Sequence, residues 1–104
     1  MAHRKVSIGR TATFLVPEAK VELVHEEIAI FLTNNFDSFT FSDAVFSGYY
    51  LRRFEGKFRE YRVSFLGKDR IPILDNFLEK LARELNEECI IETTGEDAWL
   101  IYPI

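Results

Sequence analysis

Apolar and polar residues alternate along the first part of the chain. Val6, Ile8, Ala12, Phe14 and Val16 share one parity, and Lys5, Ser7, Thr11 and Thr13 the other. A period of two is that of a half-buried strand, so the pattern predicts a first strand over Arg4 to Val16. Arg10 breaks the apolar parity and is expected to lie near a sheet end, snorkelling to water. Pro17 cannot donate to a ladder but suits the first position of a helix, with Glu18 behind it at the positive end of the dipole. From there the period becomes helical. Val21, Val24, Ile28, Phe31 and Leu32 form an inward stripe, predicting a helix to about Thr33 that ends at Asn34-Asn35. A second, narrower stripe of Ala19, Leu23 and Ile30 lies on its back, where a partner subunit or the chain's own tail would cover it.

The densely aromatic stretch from Phe39 to Gly67 predicts a long β-hairpin. Glu55-Gly56-Lys57 is its expected turn. On the second limb Tyr61, Val63 and Phe65 face the core while Glu60, Arg62 and Ser64 face water. The first limb starts with Phe39 and Phe41 against Thr40 and Ser42, then loses its period; Gly48 there marks a bulge or a close backbone approach. Beyond Gly67-Lys68-Asp69, Leu74, Phe77, Leu78, Leu81 and Leu85 predict a second amphipathic helix, with Asp69 as N-cap and Pro72 in its first turn. Cys89 to Thr94 reads as a strand, Gly95-Glu96-Asp97 as a turn, and Ala98 to Tyr102 as a last short strand. The apolar end AWLIYPI is expected to pair along a sheet edge, cover the back of helix one, or dock on another copy.

Strand, helix, strand, strand, helix, strand, with a small terminal strand added, is the order that results. It resembles the ferredoxin-like α/β plait across roughly residues 4 to 94, a fold-level likeness carried by element order alone. The fold class expected is therefore α+β, an antiparallel sheet with two helices on one face, in a single domain spanning residues 1–104. Plait domains that it resembles often pair through open sheets with a small molecule between the layers, so the resemblance implies a homodimer.

Composition narrows the partners. The net charge of −4 argues against a general nucleic-acid binder. Residues 59–65, REYRVSF, have the basic start and aromatics of an RNA-stacking strand but lack its glycine. A lone cysteine, Cys89, makes no internal disulfide, no Cys/His cluster has zinc spacing, and no apolar run approaches the ~18 residues of a spanning helix. A cytoplasmic protein with no membrane contact, no metal and no cofactor is the expectation.

Candidate chemistry is sparse. The open sheet face would carry Phe46, Tyr50, Arg52 and Arg62, a set fitted to a small anionic ligand, with Arg52-Arg53 facing Arg59 and Arg62 across the hairpin. His25 and Tyr50 are the acid/base candidates for catalysis, although a histidine on the flank of an inward helical stripe is usually structural. His3 lies near a terminus and is assigned no role. Glu87, Glu88 and Glu92 beside Cys89 would raise its thiol pKa and leave it unreactive. The partner interface would comprise Ala19, Leu23, Ile30, Trp99 and Ile101. The function read from the sequence is a non-catalytic binding or regulatory module that self-associates. The alternatives are a small enzyme with a pocket between helix one and the sheet, and a protein-binding adaptor or inhibitor acting through helix one and the C-terminal tail.

Overall fold

A computed structural model describes residues 4–67 and 69–104; His3 and Lys68 lie outside the described residues. Six strands form one antiparallel sheet: β1 (Arg10–Pro17), β2 (Ser38–Phe41), β3 (Phe46–Tyr50), β4 (Arg53–Phe65), β5 (Ile90–Thr94) and β6 (Asp97–Ile101). Two helices, α1 (Val21–Asn35) and α2 (Ile71–Glu84), join them. The strand order is β2-β4-β1-β5-β6, with β3 paired to the far end of β4. The protein is thus α+β, with one limb divided into two strands and β6 added at an edge.

Side-chain parity decides which face the helices cover. Ala12, Phe14 and Val16 of β1, Tyr61, Val63 and Phe65 of β4, and Ile90 of β5 are all buried in one cluster. The helices supply Val21, Val24, Ile28 and Leu32 from α1 and Leu74, Phe77, Leu78 and Leu81 from α2 to the same cluster. Burying these stripes together removes apolar surface worth ~25 cal/mol per Å² and is the main force closing the layers. Phe31 and Phe77 stack at 3.8 Å between ring centroids, locking the helices side by side.

Several boundaries depart from the sequence expectations. Residues 4–9 are not in a strand; β1 begins only at Arg10. Gly9 explains the limit. It sits at φ +91°, so close to β4 that a Cβ would fall 1.9 Å from the Phe65 carbonyl oxygen, and only glycine tolerates that approach. Pro17 closes β1 rather than opening the helix, and a single 3-10 turn, Glu18–Lys20, intervenes before α1. Asp69 is one residue too early to cap α2; the N-cap position is Arg70, although Asp69 Oδ1 accepts a hydrogen bond from the Ile71 N–H at 3.0 Å. Arg10 is exposed and pairs with Asp69 at 3.3 Å.

The chain's apolar end does pair along a sheet edge, as β6 on β5. It lies at the α2 end of the sheet, whereas α1 packs over β2, so the tail does not reach the back of α1. Leu23 there is 79 % exposed and Ile30 is also exposed. Among the described residues no helix is long and apolar enough to cross a membrane.

One buried polar pair stands inside the core layer. Glu92 faces inward beside Phe14, only 1 % exposed, and meets Asp75 of α2. Among the described residues neither Glu92 Oε2 nor Asp75 Oδ1 has a donor beside it, and a proton held between the two carboxyls satisfies both. Burial, then the hydrogen bond and charge of Asp75, pushes Glu92 up to about 8 from an ordinary 4.5. The folded state therefore holds this proton more tightly than the unfolded chain does. This contribution to stability is full below the unfolded value and is lost as pH rises toward about 8. Glu92→Gln, which keeps a donor toward Asp75 without a titrating proton, is expected to flatten that decline and to raise Tm at pH 8 by roughly 5 °C. Thermal melts of both proteins between pH 5 and 8 provide the check, and parallel Tm-against-pH curves would refute it.

Candidate binding pocket

The hairpin that the aromatic stretch builds does not turn at Glu55-Gly56-Lys57. It turns at Leu51-Arg52, both in the left-handed region at φ 49° and 69°. Two consecutive positive φ values between paired strands suit a primed two-residue turn, whose twist matches the strands. β4 then runs straight through residues 55–57. The register shifts between Gly48 and Tyr49, because Gly48 pairs with Gly56 while Tyr49 pairs with Phe54, which leaves Glu55 as the extra residue of a bulge. Gly48 also meets its other expectation, a close approach. A Cβ there would lie 2.5 Å from the Phe58 ring, so this glycine lets the ring lie flat against β3.

The bulged hairpin walls one side of a cavity of about 410 Å³ on the sheet face away from the helices. Its floor is Leu15 of β1, Phe58 of β4, Ile91 of β5 and Leu100 of β6, all of the parity opposite to the core set. Tyr49, Tyr50 and Glu55 come from the hairpin, Glu87, Glu88 and Cys89 from the loop before β5, and Tyr102 from the C-terminal segment. This volume is within the usual range of small-molecule pockets. Among the described residues, no lysine, arginine or histidine lines it.

The titration of the lining groups reports the same convergence. Burial pushes the Cys89 thiol up, and the charges of Glu88, Glu87 and Glu55 push it further, so all three carboxylates act on one point. Cys89 is therefore a weaker acid than an ordinary thiol, the opposite of an activated nucleophile. Burial, then Cys89, Glu88 and Tyr50, raises the Tyr102 hydroxyl as well. Glu87 is fixed by Lys20, whose Nζ also donates to the Leu85 carbonyl at 2.7 Å. Glu55 and Glu88 form no ion pair among the described residues.

The residues singled out from the sequence are distributed as follows. Tyr50 lines the cavity, and Phe46 sits opposite Phe58 on the hairpin without lining it. Arg52 is exposed at the turn, while Arg62 pairs with Thr40 in register and with Glu60 at 3.7 Å, so the two are separated by roughly 30 Å of extended strand. Moving the turn by four residues is what parts them. The expected facing of Arg52-Arg53 against Arg59 and Arg62 does not occur. Arg59 instead turns to the helix side, donating to the Ser42 carbonyl at 2.8 Å, pairing with Glu18 at 3.4 Å and lying over the Phe41 ring.

His25 is on the other side of the sheet from Tyr50. Its Nδ1 shares a hydrogen bond of 2.6 Å with the Tyr61 hydroxyl, and its ring packs on Phe41. Burial pushes Tyr61 up to about 12, which keeps that hydroxyl protonated. Ala19 is exposed in the 3-10 turn before α1, Leu23 and Ile30 are exposed on α1, Trp99 is exposed and donates from its indole to Thr94 Oγ1 at 2.8 Å, and Ile101 packs against the core. Sequence reasoning missed Glu55, Glu88, Phe58 and Tyr102 as pocket residues. The adjacent Glu87-Glu88-Cys89 run and the Gly48/Gly56 pair were the available signals.

No protein-family model matches the sequence, and no curated protein matches it. A solved structure of similar fold is a phage SAM lyase in complex with S-methyl-5′-thioadenosine, with a TM-score of 0.57 and 15 % identity, covering 98 % of this chain and 95 % of that one. The likeness extends over nearly the whole of both chains and is one of fold.

Gly48→Ala tests whether the hairpin holds the pocket floor. The added methyl must displace the Phe58 ring, and overpacking of this kind costs about 1–3 kcal/mol. Urea unfolding is expected to show that loss; a variant as stable as the parent would mean that the ring is not pinned between Gly48 and the sheet.

Proposed function

We propose that the open-face pocket binds a cationic nucleoside of the S-adenosylmethionine (SAM) type and that the protein is a small enzyme acting on its carbon–sulfur bond. The observation that carries this reading is the lining itself: three carboxylates and three tyrosines around an apolar floor, with no cationic side chain lining it among the described residues. Aromatic faces stack a purine and attract a neighbouring cation, and carboxylates in a partly desolvated cleft favour a positive sulfonium over its neutral thioether. The charge is opposite to that of the anionic ligand which Arg52 and Arg62 suggested. The phage SAM lyase of similar fold, in complex with S-methyl-5′-thioadenosine, supports the same ligand class and a lyase reaction. The order β2-β4-β1-β5, with both helices on one face, also supports reading the core as a ferredoxin-like plait in which β2 and β3 are one interrupted strand and β6 is an addition.

Lyase cleavage of such a ligand breaks one carbon–sulfur bond and leaves its electron pair on sulfur, while the departing carbon bonds to an oxygen of the ligand's own carboxylate and closes a lactone, so the sulfonium charge disappears as the thioether forms. Glu55 and Glu88 then hold the product less well than the substrate, which favours release. They act on binding and turnover in this scheme; neither needs to transfer a proton to sulfur.

Incubation with SAM, followed by chromatography, is expected to yield S-methyl-5′-thioadenosine. Glu88→Gln should weaken SAM binding roughly five-fold in calorimetry while leaving the thioether unaffected. SAM that binds and is recovered intact would make the protein a binding module. Absence of binding by both compounds would remove the ligand class altogether.

A further inference from the structure

A second cavity of about 420 Å³ adjoins the first, sharing Pro17, Glu55, Phe58 and Glu87 with it and continuing past Gly56 to Lys57 and Glu18. Its charges sort into two kinds. Glu18 is paired with Arg59 at 3.4 Å and Glu87 with Lys20, and both are thereby tied into the protein's own framework. Glu55 and Lys57, opposite in sign and two residues apart, form no ion pair among the described residues. The bulge at Glu55 and the φ of +133° at Gly56 break the regular pleat between them, and both side chains border the same cavity.

An acid and a base that border one cavity without compensating partners complement a zwitterion. We infer that the second cavity is an amino-acid subsite, in which Glu55 takes an α-ammonium and Lys57 an α-carboxylate of a ligand whose nucleoside end occupies the first cavity. This rests on the ligand class proposed above and adds a specificity to it. The protein would select nucleosides that carry an intact amino-acid tail, and Lys57 would be the residue that reads the carboxylate. Phe58 and Pro17, common to both cavities, form the apolar saddle over which the connecting chain passes. The subsite requires nothing from the sulfonium charge, so a neutral thioether bearing the amino-acid tail should also use it.

Three probes separate the contributions: S-methyl-5′-thioadenosine has no amino-acid tail, S-adenosylhomocysteine has the tail on a neutral sulfur, and SAM has both tail and charge. Calorimetry on the unaltered protein is expected to show S-adenosylhomocysteine binding roughly ten-fold more tightly than the tailless thioether, from two charge-assisted contacts. Lys57→Glu should erase that difference and leave the tailless thioether unchanged. Lys57 is exposed and makes no hydrogen bond through its side chain among the described residues, so the variant is expected to fold; a matching Tm verifies this. Equal affinities for the two neutral thioethers, or a Lys57→Glu variant that still prefers the tailed one, would overturn the subsite while leaving the nucleoside pocket standing. Failure of all three compounds to bind would overturn both together.

Discussion

The pairing of β1 with β4 is the constraint on which the other elements depend. Eight consecutive residue pairs, from Arg10 with Phe65 to Pro17 with Phe58, hold these strands in the middle of the sheet. A slip of one residue would turn Phe14 and Tyr61 out of the core and Thr13 and Arg62 into it. The Phe14 and Tyr61 rings stack nearly parallel at 5.1 Å, so register and core packing are fixed by one contact. Both helices then dock on the parity thus selected. The pocket takes the other parity, with Leu15 next to Phe14 on β1 and Phe58 three residues from Tyr61 on β4.

Much of this architecture is legible in the chain because it rests on periodicity. The α2 stripe of Leu74, Phe77, Leu78, Leu81 and Leu85 is buried in full, and the buried set of α1 follows the predicted spacing except that Phe31 is only partly covered. What periodicity cannot register is an irregularity of one residue. Glu55-Gly56-Lys57 has the glycine a turn favours, yet that glycine serves a bulge. The true turn uses Leu51 and Arg52, which carry no turn signature and adopt positive φ because the paired strands on either side impose it. A displacement of four residues was enough to dissolve the basic cluster that the sequence suggested.

The pocket was harder to read for a related reason. Its polar residues come from the hairpin, the loop before β5 and the C-terminal segment, and they converge only once the strand order is known. Tyr50 was visible as an open-face aromatic, and the acidic surroundings of Cys89 followed from its sequence neighbours. Glu55 was assigned to a turn, so its contribution to the same site was hidden. His25 had the chemistry of a catalyst but shares a face with the core, where the Tyr61 hydroxyl engages it.

The two walls of the pocket are built to different standards of rigidity. One rests on β1, β5 and β6 within the body of the sheet, whereas the other is carried by β3, which pairs with β4 alone. An isolated two-stranded ribbon is marginal in water, and this one leaves Leu51 at its tip 83 % exposed. For the proposed binding role, ordering that ribbon against a ligand would be where the conformational entropy of binding is spent. Affinity in such a site is set as much by the stiffness of the arm as by the groups that touch the ligand, and a change far out at the tip alters the grip without meeting what is gripped.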